Sequence, residues 1–487
     1  MTFCYKDDTI DWRIVLLTCI LCAIHILGIY VIFIGCIVAY VEAFALLLVA
    51  VKRRMDIYLY LLVIFWATSF EFTAFIDKPL DFAPSVSQLP IVQGYFFLLL
   101  SLWPIPRLLK NKEAWLNISK KKSLLSLLLF SLISLTVGII MGVVSILIDE
   151  VPYIFHIVFF FREIISVGIV LLYAIYFLFA LEYYKSFLRK MSVLLFSTLS
   201  GIILIAFVGA LMGLRGIYDT DKIILMPLSF FYSTSIIFFL GYRTYRSKHT
   251  FLLLFLSSLA LFMQFVYSNA LGGKSWLVIF FILFTFSVLW IRKNIKNILI
   301  ILLVIPVLCS LFNIFFIKQE SNDSLSSGKL IQAMAVLSLV DFDMYDALPH
   351  SPKVRVEEVI NTSIEYSKHP FFLFFGKGFG GGHRDYRNAY GYFDESAFSL
   401  DEYNSGYFIK LHESINILLL KFGLLGLLLF SYVLFFAWRG FIFSPWLILG
   451  VLWITLFLGY SNSLMSIGLP SLVIGLGTLR HDNKKVR

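Results

Sequence analysis

Apolar runs long enough to cross a bilayer recur from one end of this chain to the other. They exclude most folds before any single residue is considered. A helix rises about 1.5 Å per residue, so a run of about 18 apolar residues spans the hydrocarbon core. Such runs fall near 12–28, 30–51, 57–76, 91–109, 123–148, 156–181, 192–213, 223–241, 250–270, 276–291, 298–316, 420–437, 446–460 and 464–479, about fourteen in all. The stretch from Ile14 to Val51 is too long for one helix, and the last pair divides around Tyr460-Ser461-Asn462-Ser463. Hydrophobic residues make up 60% of the chain and charged residues 14%, a balance that no soluble fold can hide from water. Backbone polar groups find no water in lipid, so helices are expected, and no run alternates as a membrane-barrel strand does. The expected fold class is therefore all-α, a polytopic membrane protein.

Lysine and arginine in the short loops set the orientation. Basic clusters stand at Lys52-Arg53-Arg54, Lys110 to Lys122, Lys185 to Lys190, Arg243 to Lys248, Arg292 to Lys296 and Arg480 to Arg487, all on one side if the spans alternate. They hold about 22 basic residues, against about 4 in the opposing short loops. Both termini are accordingly expected in the cytoplasm, with the long polar segment 317–411 outside. The chain then divides into an N-terminal transmembrane bundle over 1–316 with about eleven helices, the large outer loop over 317–411, and C-terminal spans with a short cytoplasmic tail over 412–487. The net charge of +10 is mostly a topology signal, and no basic and aromatic stripe points to nucleic acid.

Cysteine chemistry has little place here. Cys4, Cys19, Cys22, Cys36 and Cys309 lie at or inside spans, and the outer loop has none. Cys19-x-x-Cys22 has a metal or redox spacing but no second pair, and no ligand cluster implies a metal. The N-terminus has no small-residue cleavage site, so the first span is expected to stay on the chain.

The outer loop has its own organisation. Ser321 to Gly328 is a polar lead-in, and Val356, Val359, Ile360 and Ile364 recur at helical spacing, which predicts an amphipathic helix over 353–368. Pro370 ends that helix. Phe371 to Phe375 is an apolar patch long enough to dip into the interface and too short to span. Gly376-Lys377-Gly378-Phe379-Gly380-Gly381-Gly382-His383-Arg384 follows. Its GxGxxG spacing lacks the surrounding strand and helix of a dinucleotide site. Gly273-Lys274-Ser275 resembles the end of a phosphate loop, but Ser268 stands where the first glycine belongs. The glycines, Gly378 and Gly380 among them, allow close backbone approach and offer N–H groups to an anion or a sugar, with Arg384 beside them. Tight turns alone would also require them.

Outward-facing cations are scarce in the short loops. Arg215 ends the seventh span, Lys274 joins the ninth and tenth, and Lys421 lies nine residues after His412. A cation kept at the outer lipid boundary suggests an anionic partner such as a lipid-linked diphosphate, with snorkelling to headgroups as the plainer role. His412 can accept a proton from a hydroxyl near neutral pH. Asn416 lies one turn beyond it on the same face, while Glu413 points elsewhere. His25, Glu42, Glu71, Arg162 and Glu163 fall within spans, where each charge needs a partner or a water-filled path.

The segment from Leu411-His412-Glu413-Ser414-Ile415 to Lys421-Phe422-Gly423-Leu424-Leu425-Gly426 resembles the signature of the bacterial O-antigen polymerase and O-antigen ligase superfamily. Arg355 through His369-Pro370 into Gly376-x-Gly378-x-Gly380 is similar to that family's Arg-helix-Pro-Gly-x-Gly loop element. Glu413 departs from the usual Asn, and Lys274 stands where Arg is more usual. The resemblance implies metal-independent, cofactor-free glycosyl transfer from an undecaprenyl-diphosphate-linked oligosaccharide, on the outer face of a bacterial inner membrane. His412 and Glu413 would then be catalytic. Arg215 and Lys274 would hold the diphosphate, and Arg355, Gly378, Gly380, Arg384, Asn416 and Lys421 would line the substrate. A polymerase also implies a chain-length regulator as partner. A ligase transferring finished polymer to a lipid core shares the motif. A lipid-glycan flippase fits the span number, although no internal repeat is visible.

Overall fold

The computed structural model describes residues 10–30, 32–52, 54–68, 105–149, 153–183, 187–211, 252, 255–256, 350–390, 398, 400–409, 411, 414–441, 444, 446–447, 450 and 468–479. In chain order these form helices α1 (Trp12–Tyr30), α2 (Ile32–Val51), α3 (Met55–Ala67), α4 (Ile105–Leu109), α5 (Lys112–Lys120), α6 (Lys122–Ile148) and α7 (Tyr153–Glu163). A π turn over Ile164–Gly168 leads into α8 (Ile169–Tyr183) and α9 (Phe187–Leu211). Then come α10 (His350–Lys368), α11 (Phe371–Phe375), β1 (His383–Arg384), α12 (Leu400–Ser405), β2 (Tyr407–Phe408), α13 (Ser414–Phe441) and α14 (Gly468–Thr478).

The described chain is mostly helical, and two stretches, Lys122–Ile148 and Ile415–Gly440, are long and apolar enough to cross a membrane. The apolar stretch up to Val51 is divided between α1 and α2, which pack on each other, and α1 also packs on α9. The basic run after Lys110 is more ordered than a loop: α5 opens on Asn111, whose side chain accepts the Ala114 N–H at 3.2 Å. The expected spans near 91–109, 223–241, 250–270, 276–291, 298–316 and 446–460 lie mostly or wholly outside the described residues.

Helices α6 and α13 run antiparallel. Phe130 meets Phe430 at 5.5 Å between ring centroids, and Gly138 lies against Phe422 and Phe379. Going up one helix is therefore going down the other, so the C-terminal half of α6 and the N-terminal half of α13 both lie against the glycine-rich segment. Helix α13 is not continuous. Gly423 has φ 59° and ψ −156°, a left-handed break inside the apolar run.

That break seats the glycine-rich segment. In an unbroken helix the carbonyls of Leu419, Leu420 and Lys421 accept the N–H groups four residues on. Here they accept from the Tyr366 hydroxyl, the Lys377 N–H at 2.7 Å and the Gly378 N–H at 3.0 Å. A Cβ on Gly423 would lie 2.6 Å from both the Gly376 nitrogen and the Phe374 carbonyl carbon, so α11 occupies the notch directly. From there the chain crosses to α6, where the Phe379 N–H bonds the Gly138 carbonyl at 2.8 Å.

Helix α10 begins close to where its apolar periodicity predicts, but its buried face is the polar one. Glu357, Glu358, Asn361, Thr362 and Glu365 are buried, whereas Val359 is exposed. The reason is what these side chains meet, cations and an amide from the glycine segment and α13, while Val354 and Tyr366 of the same helix are buried among Tyr390, Phe398 and Phe408 and against Met141 and Phe372.

The close approach at Gly378 yields a test. Its φ is +71°, and a Cβ there would lie 2.0 Å from the Gly142 nitrogen, backbone that cannot yield. Gly406 has φ +62° but nothing within 4 Å of a Cβ. Gly406→Ala should lower stability in detergent by about 1 kcal/mol, the left-handed strain alone. Gly378→Ala should cost more than about 3 kcal/mol or prevent recovery of folded protein. Thermal unfolding followed by size exclusion distinguishes the two.

Candidate functional site

Two buried lysines organise the place where α6, α7, α10, α13 and the glycine segment meet. Asp149 closes α6, its N–H bonded back to the Ser145 carbonyl at 2.8 Å. A carboxylate at a helix C-terminus opposes the helix dipole, so it needs a cation. Lys377 supplies one, with Nζ 2.8 Å from Asp149 Oδ2 and 2.8 Å from Glu365 Oε1, and its side chain is 0% exposed. The Phe372 and Tyr407 rings flank the ammonium at 5.5 and 5.4 Å. The Tyr407 hydroxyl donates to Asp149 and accepts the Gly382 N–H at 2.6 Å. His156 stands edge-on to Tyr407, with Nε2 3.8 Å from Asp149 Oδ2.

The second lysine, Lys421 on α13, pairs with Glu163 at 2.7 Å and donates to the Gly381 carbonyl. The other Glu163 oxygen accepts the Gly380 N–H. Glu163 directly precedes the π turn, a wide turn in which a helix carries one extra residue. A buried charge without its partner costs several kcal/mol, commonly about 3–5 when one member of a buried pair is removed. Pairing is therefore the condition on which either lysine stays inside.

Burial by itself would raise the Glu365 carboxyl. The Lys377 ammonium beside it and the Tyr386 hydroxyl outweigh that and hold it below the usual carboxylate range. Tyr386 also accepts from Lys368 at 2.8 Å, and its N–H donates to Asn361 Oδ1 at 3.1 Å. Asn361 reaches Asp385 at 3.3 Å, which ties the glycine segment to α10 a second time.

The residues nominated from sequence divide into three groups. Arg215, Lys274, His412 and Glu413 lie outside the described residues. Asn416, Arg355, Lys421, Gly378 and Gly380 are brought into one packed region. Asn416 Nδ2 donates to Glu358 Oε2 at 2.8 Å and to the Arg355 carbonyl at 3.2 Å. Arg384 is exposed on β1, paired in register with Tyr407. Lys421, expected to meet an anion at the lipid boundary, is instead buried against Glu163. The glycine N–H groups expected to face an anion or sugar are likewise taken. Every amide from Gly376 to Gly382 bonds a protein acceptor, whether backbone carbonyl, Glu163 or Tyr407.

Asp149, Lys377, Glu358 and Glu365 escaped the reading of the sequence. The signal for Lys377 was available: a lysine one glycine beyond five apolar residues, in a segment expected to dip toward the interface. The requirement that intramembrane charges find partners is met twice. Glu163 has Lys421, and His25 Nε2 lies 2.7 Å from Glu42, with Nδ1 3.0 Å from the Thr68 carbonyl. Glu71 and the Arg162 side chain fall outside the described residues.

No family model, no curated protein and no solved structure matches this chain.

His383 gives the region an acid sensitivity. It is 0% exposed, its Nε2 is 2.5 Å from the Tyr390 hydroxyl, and Nδ1 has no hydrogen-bond partner. Burial first, then the Lys377 and Lys421 charges, push its pKa down to about 3 from 6.5. Below pH 6.5 the unfolded chain takes up a proton that the native ring refuses. Stability should then fall as pH drops from 6.5 toward 3 and be unaffected by this group above 6.5. Glu365 adds its own loss only below its ordinary value of 4.5. Between pH 6.5 and 4.5, His383→Gln should show a flatter dependence of unfolding free energy on pH than the parent, measured by denaturant titration.

Proposed function

We propose that this chain is a membrane-embedded glycosyltransferase that polymerises lipid-linked glycan. It joins undecaprenyl-diphosphate-linked oligosaccharide repeat units at the outer face of a bacterial inner membrane, with both termini in the cytoplasm. One observation carries the reading. The two segments on which the family resemblance rests, Arg355 to Gly380 and Leu411 to Gly426, are far apart in sequence and pack as one unit. Asn416 binds α10, and the carbonyls of α13 bind the glycine segment.

On this reading His412 removes the proton from the acceptor sugar hydroxyl as its oxygen attacks the anomeric carbon of the donor. The bond from that carbon to the diphosphate breaks, and undecaprenyl diphosphate leaves with the electron pair. Arg215 and Lys274 offset the charge that develops on the leaving group. Glu413 and Asn416 orient the imidazole and the acceptor. Asn416 is well placed for orientation because Glu358 and the Arg355 carbonyl hold its amide. A chain-length regulator is the expected partner, and a ligase acting on a lipid core is the nearest relative of this activity.

A transporter reading draws on a different observation. The break at Gly423 puts irregular backbone inside a span, and interrupted spans often border transport sites.

The readings separate on a gel of surface-glycan lipids from a strain lacking the gene and carrying His412→Ala in its place. A ladder collapsed to core plus one repeat unit, with the variant present in the membrane, is expected for the polymerase. Loss of all core-attached glycan, with polymer left on undecaprenyl diphosphate, would mean ligase. An unchanged ladder would remove His412 from the chemistry.

A further inference from the structure

We infer that α11 and the glycine turn after it form a re-entrant hairpin whose outer face is immersed in the hydrocarbon of the bilayer. This inference is independent of the activity proposed above. The connection between α10 and β1 would then belong to the membrane domain and not to the water-facing loop.

Depth is the first argument. Helix α13 carries a candidate span over Ile415–Gly440, 26 residues or about 39 Å, against a hydrocarbon core of about 30 Å. Gly423, where α11 docks, lies about 12 Å along that span, well past the headgroup level. The partner helix agrees. Phe379 bonds Gly138, ten residues before the end of α6 at Ile148 and hence about 15 Å below it. Contacts with α13 deepen along the chain: Glu358 meets Asn416, Tyr366 meets Leu419, and Phe374 meets Gly423. After Gly378 the chain climbs again, with the Gly382 N–H on Tyr407 and His383 paired with Phe408.

The exposed surface is the second argument. Phe371, Leu373, Phe374 and Phe375 are exposed, Phe374 at 56%, and only Phe372 of the five points inward. Four large apolar side chains exposed on five residues are costly in water. They continue a surface that a span already presents to lipid. On α13, Leu424, Leu428, Tyr432 and Phe435 are exposed at helical spacing, Leu428 at 69%. That continuity identifies the occupant as lipid acyl chains.

Backbone bonding is the third. Non-helical chain is tolerated at membrane depth only where its polar groups are satisfied by protein. The N–H groups of Gly376 to Gly382 all are. Helix α11 thereby becomes a wall one helix thick. Phe372 faces the Lys377 ammonium on the inner side, and the other four side chains face the bilayer on the outer.

The test is nitroxide accessibility in proteoliposomes. A background with the five cysteines replaced would carry Phe374→Cys, Phe375→Cys, Leu428→Cys or Asn388→Cys, each spin-labelled. Labels at 374 and 375 should collide with oxygen and be shielded from a water-soluble nickel chelate, matching the label at 428. A label at 388, on exposed chain, should show the reverse. If positions 374 and 375 match 388, α11 lies in water and the proposal fails. Shielding from both reagents would also overturn it, because protein and not lipid would then cover the face. Two labelled positions guard against the loss of one variant to misfolding.

Discussion

A broken helix exposes its own carbonyls, and where they are buried those carbonyls must find donors. The left-handed residue at Gly423 creates that demand in α13, and the glycine segment meets it. Most other features of the region follow. Gly376 and Gly378 are needed because their backbones touch those of α13 and α6, with positive φ at both. Tyr366 lies on α10 at the height of Leu419 because that carbonyl needs a hydroxyl. The break and the segment are mutually dependent, each satisfying groups that the other leaves open.

Charge completes what the backbone begins. Lys377 and Lys421 anchor the segment on opposite sides, one to Asp149 and Glu365, the other to Glu163. Such pairs contribute little net stability, since desolvation cancels much of the attraction. Their effect lies in specificity: any register of the segment other than this one strands a buried charge. The same logic explains the inward polar face of α10, which supplies Glu358 and Glu365 where cation and amide require acceptors.

The helical character of the described residues, with two helices long and apolar enough to cross a membrane, was legible from apolar run length. So were the positions of α6 and α13, and the start of α10 near Pro352. Amphipathicity also showed α10 to be two-sided, but periodicity cannot say which side packs. Burial of the glutamate face depends on Lys377 and Asn416, which arrive from other parts of the chain. Gly423 was invisible as a break because a glycine within a span is ordinary, and only the contact with Gly376 reveals its conformation. Glu163 and Lys421 were each recognisable as expensive, yet nothing local pairs residues so distant in sequence. Of the site inferred from resemblance, the structure joins Arg355, Gly378, Gly380, Asn416 and Lys421. It also shows that the glycines serve packing with their N–H groups already engaged.

The proposed chemistry depends on this arrangement because it would fix the start of α13, directly after His412 and Glu413, against α10. Everything therefore turns on whether residues 376–382 are bonded into the bundle. Hydrogen exchange of the protein in nanodiscs, read by mass spectrometry on peptides covering 373–384, measures that bonding. Amides held by Leu420, Lys421, Gly138, Glu163 and Tyr407 should be protected for as long as those in the core of α6. Exchange of the whole stretch within seconds, as for a solvated loop, would contradict the account.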